Sequence, residues 1–300
     1  MRNKAALAAM GAVAALVLAA CSSGDDAEPE ASDGMDSTMD SGDGEMMEFA
    51  EGSTMAALAE AGTITIGTKF DQPLFGLLAP SGTPEGFDVE IGKIIAGELG
   101  IDEGSIEWVE TVSANREPFI QDGTVDLVVA TYTINDARKE LISFAGPYYL
   151  AGQALMVLSD NEDITSPDDL AGKNVCSVEG STPAENIATN YPDANLQLFG
   201  AYTDCLEPLR NGQVDVVTTD NVILAGYVAE SDGEFKVVGE PFTEEPYGIG
   251  VGHDDTEFRM WINDVLEEIF EDGRWLEAWQ ATAGTVLPDP AVPTVDRYEN

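Results

Sequence analysis

Positive charge is scarce in this 300-residue sequence: 13 lysines and arginines stand against 56 aspartates and glutamates. The formal net charge of −43 describes a surface that repels phosphodiester backbones and anionic headgroups, which excludes nucleic acid and charge-driven lipid binding. A single histidine, His253, and three cysteines leave little from which to build a metal centre. His253 has no serine or cysteine partner pattern and reads as a lone surface residue. Neither a metal nor a cofactor site is expected. Long apolar runs are missing too: after residue 20 none approaches the ~20 residues that span a bilayer.

What is present begins at the N-terminus. Arg2 and Lys4 precede Ala5 to Ala20, a small and apolar run too short to span but normal for a secretory signal. Leu18-Ala19-Ala20-Cys21 resembles the lipobox of bacterial lipoproteins, in which the signal is removed before a cysteine that becomes acylated. The plain alternative is an ordinary signal peptide with a cysteine by chance. Residues 1–20 are therefore expected to be a signal peptide and Cys21 the lipid anchor, with the protein on the extracytoplasmic face of the cell membrane. Loss of Arg2 and Lys4 would take the charge to −45. Residues 21–58 have no Lys or Arg and one aromatic, Phe49. They bury too little to offset ordering entropy and read as a disordered acidic linker. Asp25, Asp26, Glu28 and Glu30 could hold a cation weakly, but not at calcium-loop spacing. Cys176 and Cys205 remain; outside the reducing cytosol a disulfide is their simplest fate, since a metal site lacks further ligands.

The remaining residues alternate strand and helix. Ile64 to Thr68 is a buried strand. Phe87, Ile91, Ile94, Ile95 and Leu99 mark one helical face, ended by Gly100. Ile106 to Val112 and Asp126 to Thr131 are strands flanking a helix at Asn115 to Gln121. The pattern restarts after Tyr148-Tyr149-Leu150, with strands at Ala154 to Ser159, Asn174 to Val178 and Asp215 to Thr219. Helices are expected at Thr182 to Asn190, Thr203 to Asn211, Asn221 to Ala229, Thr256 to Phe270 and Arg274 to Thr282. Trp261, Trp275 and Trp279 lie on helical spacing and read as packing residues. Gly248 to Gly252 lacks the spacing of a nucleotide loop and reads as a strand. Two such series predict two lobes with largely parallel sheets, and a ligand crevice at the strands' carboxyl ends.

Four segments within residues 63 to 281 carry a family resemblance. They are Gly67-Thr68-Lys69-Phe70-Asp71-Gln72-Pro73, Gly86-Phe87-Asp88-Val89-Glu90-Ile91, Ala130 to Arg138, and Thr219-Asp220. Together they resemble the type II periplasmic (extracellular) solute-binding proteins of polar amino acid ABC importers, family 3. Ser177 to Pro183 and the flanking cysteines look most like actinobacterial glutamate-binding lipoproteins. The resemblance implies an α/β, two-lobed periplasmic-binding-protein type II fold, with two mixed, mostly parallel sheets, flanking helices and a two-strand hinge. It places one lobe at 59–151 plus 249–300 and the other at 152–248, with crossings near Ala151 to Leu155 and Glu245 to Gly250. It further implies a monomer that closes on its ligand and presents it to the importer's permease subunits, without catalysis.

The same resemblance assigns the pocket. Arg138 would clamp an α-carboxylate bidentately, helped by Thr131, Thr133, Ser181 and Thr182, and Asp220 would accept from the α-ammonium. Plain alternatives are Arg138 paired with Glu140 and Asp220 as a helix N-cap. Lys69 and Arg116 fall where acidic-ligand relatives carry basic residues, which implies glutamate, with glutamine, aspartate and cystine as alternatives. Lys69 could instead pair with Asp71 or Asp88, and Phe70 could be an apolar wall. At Asp71-Gln72-Pro73 the sequence departs from relatives with an aromatic over the ligand. A dehydratase on this fold would need an acid or base beside a leaving group, and no candidate is visible. A sensory receptor would look the same as an uptake protein.

Overall fold

Two five-stranded sheets dominate the computed structural model, which describes residues 49–298. The expected signal peptide, Cys21 and the linker up to residue 48 lie outside the described residues. The chain runs α1 (Thr54–Ala61), β1 (Ile64–Thr68), β2 (Asp71–Gln72), β3 (Gly76–Leu78), β4 (Pro84–Glu85), α2 (Phe87–Glu98) and β5 (Ile106–Glu110). Then come α3 (Arg116–Gln121), β6 (Leu127–Val128), α4 (Asp136–Lys139), β7 (Ser143–Ala151), β8 (Gln153–Leu158), β9 (Asn174–Val178), α5 (Thr182–Asn190) and β10 (Asn195–Phe199). The last part holds α6 (Leu206–Arg210), β11 (Val216–Asp220), α7 (Asn221–Glu230), β12 (Phe235–Val238), β13 (Glu245–Val251), α8 (Thr256–Asp272) and α9 (Arg274–Ala281).

The first sheet has the order β5-β1-β6-β13-β7 and the second β10-β9-β11-β8-β12. In each, the strand–helix–strand part is parallel: β1 with β5 and β6, β9 with β10 and β11. The strands that carry the chain between sheets pair antiparallel: β13 with β6 and β7, β8 with β11 and β12. Each sheet is therefore evenly mixed, because a strand that leaves for the other lobe and a strand that returns from it run opposite ways.

The chain leaves the first sheet between Ala151 and Gln153, and returns between the end of β12 and Glu245, which pairs with Ala151. Residues 245–248, expected in the second lobe, thus belong to a strand of the first sheet. Behind this ribbon Phe75, Phe87, Tyr148, Tyr149, Tyr247, Trp275 and Trp279 form one buried aromatic cluster. Trp279 stacks on Tyr149 with ring centroids 4.9 Å apart, and Trp275 Nε1 donates to Tyr148 O at 2.9 Å. Trp261 is half-buried against Phe49 and Phe258.

The expected linker ends too late. Ser53 caps α1, whose Met55 and Leu58 are buried, and Thr54 Oγ1 donates to Asp255 at the start of α8. An eight-residue helix is marginal alone and forms here through tertiary packing, a cause its local composition hides. Cys176 in β9 and Cys205 are joined by a disulfide, worth about 3 kcal/mol through loop closure. No helix among the described residues is long and apolar enough to cross a membrane.

Candidate functional site

The carboxyl ends of the parallel strands in both sheets converge on one crevice. β1 delivers Lys69, β6 runs into Thr131 to Thr133, β9 leads to Gly180, Ser181 and Thr182, and β11 ends in Asp220. Between them an empty volume of about 210 Å³ is lined by Ser113, Arg116, Thr131, Thr133, Ser181, Thr182, Tyr202, Thr219 and Asp220, with Pro183 and Ile223. The lining is mostly polar, which suits a small charged ligand. Six of the eight expected ligand residues line this cavity. Lys69 and Arg138 reach it through their neighbours.

The first-lobe wall is cationic and buried. Lys69, 3% exposed, donates from Nζ to Ser113 Oγ at 2.9 Å. Burial, and after it the charge of Arg116, push Lys69 down to about 7. Arg116 donates to the carbonyls of Ser113, Ala130, Thr131 and Gly180 at 3.2–3.3 Å. Arg138 donates to Thr133 O at 2.7 Å and Gly180 O at 2.9 Å, and its Nε lies 3.1 Å from Glu117 Oε1. It thus turns inward to Glu117, not to Glu140. Burial and Arg116 lower it to about 10, still charged at neutral pH. Both guanidiniums lie over the Tyr132 ring, at 4.2 and 5.0 Å from its centroid.

Thr131 sits at φ 43°, a left-handed backbone that few threonines adopt. Its N–H donates to Asp88 Oδ2 at 2.7 Å and its hydroxyl to Gln72 Oε1 at 2.9 Å. Tyr148 OH holds the other Asp88 oxygen at 2.6 Å. Burial pushes Asp88 up to about 7 against these hydrogen bonds. Strain held this firmly belongs to a loop whose shape matters. Asp88 and Gln72 thus shape the loop behind the wall, a role their sequence context did not assign. Phe70 instead lines a separate surface pocket with Trp108.

The second-lobe wall is acidic. Asp220 is 3% exposed; Tyr247 OH donates to its Oδ2 at 2.6 Å, and its Oδ1 is buried without a hydrogen-bond partner. Its side chain makes no capping bond to α7, although it precedes that helix. Burial, then the neighbouring Glu245, push Asp220 up to about 7. Thr219 Oγ1 is likewise buried and unpartnered. Ser181 is engaged locally: its hydroxyl donates to Val178 O at 2.7 Å and accepts from Ala184 N at 3.2 Å. Thr182 Oγ1 meets Glu245 Oε2 at 2.7 Å and Thr133 Oγ1 at 3.2 Å, joining both lobes and the ribbon. Glu117, Tyr202, Glu245 and Tyr247 were missed as site residues, because each gains its role from partners distant in sequence.

The lobes also meet at Gly180, which has φ 74°. A Cβ there would lie 2.7 Å from Ala114 Cα and 2.9 Å from its nitrogen, a backbone contact that cannot swing away. Gly180→Ala is expected to weaken ligand binding at least tenfold, about 1.4 kcal/mol, with a far smaller loss of melting temperature in the unliganded protein. Calorimetric binding beside thermal melting checks this; unchanged affinity would show that the contact does not matter.

Comparison with known proteins bears on the same residues. The family model for bacterial extracellular solute-binding proteins, family 3, matches residues 64–281. The chain is 45% identical over 232 residues to the glutamate-binding protein GluB of Corynebacterium efficiens, covering 74% of this chain and 79% of that protein. It is 38% identical over 250 residues to the ABC transporter glutamine-binding protein GlnH of Bacillus subtilis, covering 83% and 90%. A solved structure of an ancestral arginine-binding protein bound to glutamine superposes with a TM-score of 0.70 at 34% identity, covering 74% of this chain and 97% of that one.

Proposed function

Given that the chain belongs to the bacterial extracellular solute-binding proteins, family 3, we propose that it captures an acidic amino acid, glutamate first, and delivers it to an ABC importer. The observation that carries this reading is the polarity of the crevice. One wall concentrates three of the chain's few cations, Lys69, Arg116 and Arg138, and the other presents the unpartnered Oδ1 of Asp220. A free amino acid has complementary ends.

In this reading Asp220 accepts from the α-ammonium. The α-carboxylate lies beside Thr131 and Thr133 and the first turn of α5 at Ser181 and Thr182. There it draws Arg138 from a neutral carbonyl partner, since a charged acceptor makes the stronger bond. The side-chain carboxylate faces Arg116 and the Lys69–Ser113 pair. The GluB and GlnH relatives support an amino acid as the ligand, and the cationic wall favours glutamate over glutamine.

The test is calorimetric titration with glutamate, aspartate, glutamine and cystine, after unfolding and refolding to remove carried ligand. Preferential glutamate binding is the expected result. Tighter binding of a neutral amino acid would overturn the ligand assignment. Anchoring through Cys21 belongs to the same proposal: Cys21→Ser is expected to move the protein from membrane to soluble fractions. Unchanged fractionation would remove the anchor.

A further inference from the structure

We infer that Tyr247 is a positioning residue for ligand capture: its hydroxyl holds one oxygen of Asp220 so that the other faces the cavity, and its backbone ties that carboxylate to the Thr133 loop. This rests on the proposed role of Asp220 as the ammonium acceptor. Tyr247 lies in β13, a strand of the first sheet, whereas Asp220 ends β11 in the second. The 2.6 Å bond between them therefore crosses the lobes. At the same residue the β13–β7 register shifts, and Tyr247 forms an isolated bridge with Thr133. Gly248 N donates to Tyr132 O and Ile134 N to Pro246 O, both at 2.8 Å, so the backbone on each side grips the first-lobe ligand loop.

The ring cannot drift. Tyr247 is fully buried, with Phe75, Tyr148 and Tyr149 centroids 5.8–6.2 Å away. Burial, then the charge of Asp220, push its hydroxyl well above the usual phenol range. It remains a donor, so the Asp220 oxygen it touches can only accept. A carboxylate pinned at Oδ2 has one direction left for Oδ1, and that atom is the buried, unpartnered one. Orientation is thus settled before a ligand arrives, which lowers the entropic cost of binding.

The charged and titratable groups facing Asp220 are Glu245 from the ribbon, Arg116 and Arg138 from the first lobe, Tyr202 from the second, and Tyr247. Among these Tyr247 donates the hydrogen bond that favours the ionised carboxylate.

The experiment is glutamate affinity by calorimetry between about pH 5.5 and 8 for the unaltered protein, Tyr247→Phe and Asp220→Asn, with thermal melts as the folding control. Tyr247→Phe is expected to bind roughly tenfold more weakly near neutral pH. Its acid limb should move to higher pH, so the deficit grows as pH falls. Wild-type affinity, or a loss that does not vary with pH, would overturn the inference. If Asp220→Asn binds like the unaltered protein, the ammonium assignment fails instead. NMR titration of the Asp220 carboxyl carbon, without ligand, then decides the phenol's role: a raised midpoint in Tyr247→Phe supports it and an unmoved one overturns it.

Discussion

Asp220→Asn is expected to lower glutamate affinity roughly 1,000-fold, about 4 kcal/mol, while leaving the fold as stable or more so. The two effects have one origin. Asp220 is a buried carboxylate with one oxygen on Tyr247 and one on nothing, and Glu245 stands nearby as a second negative charge. Such a group burdens the unliganded protein and is compensated when an ammonium arrives. An amide removes the burden together with the attraction, the usual opposition of stability and function at a binding site. Calorimetry and thermal melting on the same preparation check it. Affinity within tenfold of the unaltered protein would place the ammonium elsewhere.

The pH dependence follows in sign. Without ligand Asp220 stands near 7, raised by burial and Glu245. The ligand's ammonium favours the ionised form, so binding releases a proton where Asp220 is protonated. The Asp220 contribution to affinity is then full above about pH 7 and falls as pH drops through that value, by at most about tenfold per unit for one proton. Asp220→Asn should lose this acid limb.

Lys69→Gln is expected to separate two ligands that differ by one charge. Glutamate should lose roughly 100-fold, about 2.7 kcal/mol, while glutamine changes less than about threefold. Lys69 Nζ is buried behind Ser113 Oγ in the wall that already holds Arg116 and Arg138. Removing one of three adjacent cations relieves repulsion among the others, so the fold should tolerate the change. What is lost is the field that offsets desolvation of a side-chain carboxylate. The sign with pH is opposite to that of Asp220. Lys69 is lowered to about 7 by burial and Arg116, and a ligand carboxylate favours its protonated form. Glutamate affinity should therefore also fall as pH rises above about 7. A bell-shaped profile for glutamate and a one-sided profile for glutamine would follow. Equal losses for both ligands in Lys69→Gln would remove Lys69 from the side-chain role.

Elements that carry their own cause were legible in the sequence. The helix expected from Phe87 to Leu99 is α2, Phe87–Glu98, because one face repeats at helical spacing. The strand expected from Asn174 to Val178 is β9, with the same ends. The Cys176–Cys205 bond is there. Other elements were not legible. The hairpin sheet β2-β3-β4 has strands of two or three residues, too short for any period to show. β7 runs buried through Tyr149 with almost no alternation. Helix Thr203 to Asn211 is a single turn at Tyr202–Cys205 followed by the short α6.

The sequence by itself determined the charge budget, the strand–helix alternation that builds two sheets, and the presence of Lys69 and Asp220 at strand ends and of Arg116 and Arg138 in short helices. Those follow from residue type and spacing, which act locally. Only the tertiary structure decided that Arg116 and Arg138 share the Gly180 carbonyl across the lobes. It also decided that Asp88 holds Thr131 in a left-handed backbone, and that Tyr247 takes one oxygen of Asp220 and leaves the other. Each of these joins residues dozens of positions apart, and a hydrogen bond has no energy until folding brings donor and acceptor within about 3 Å.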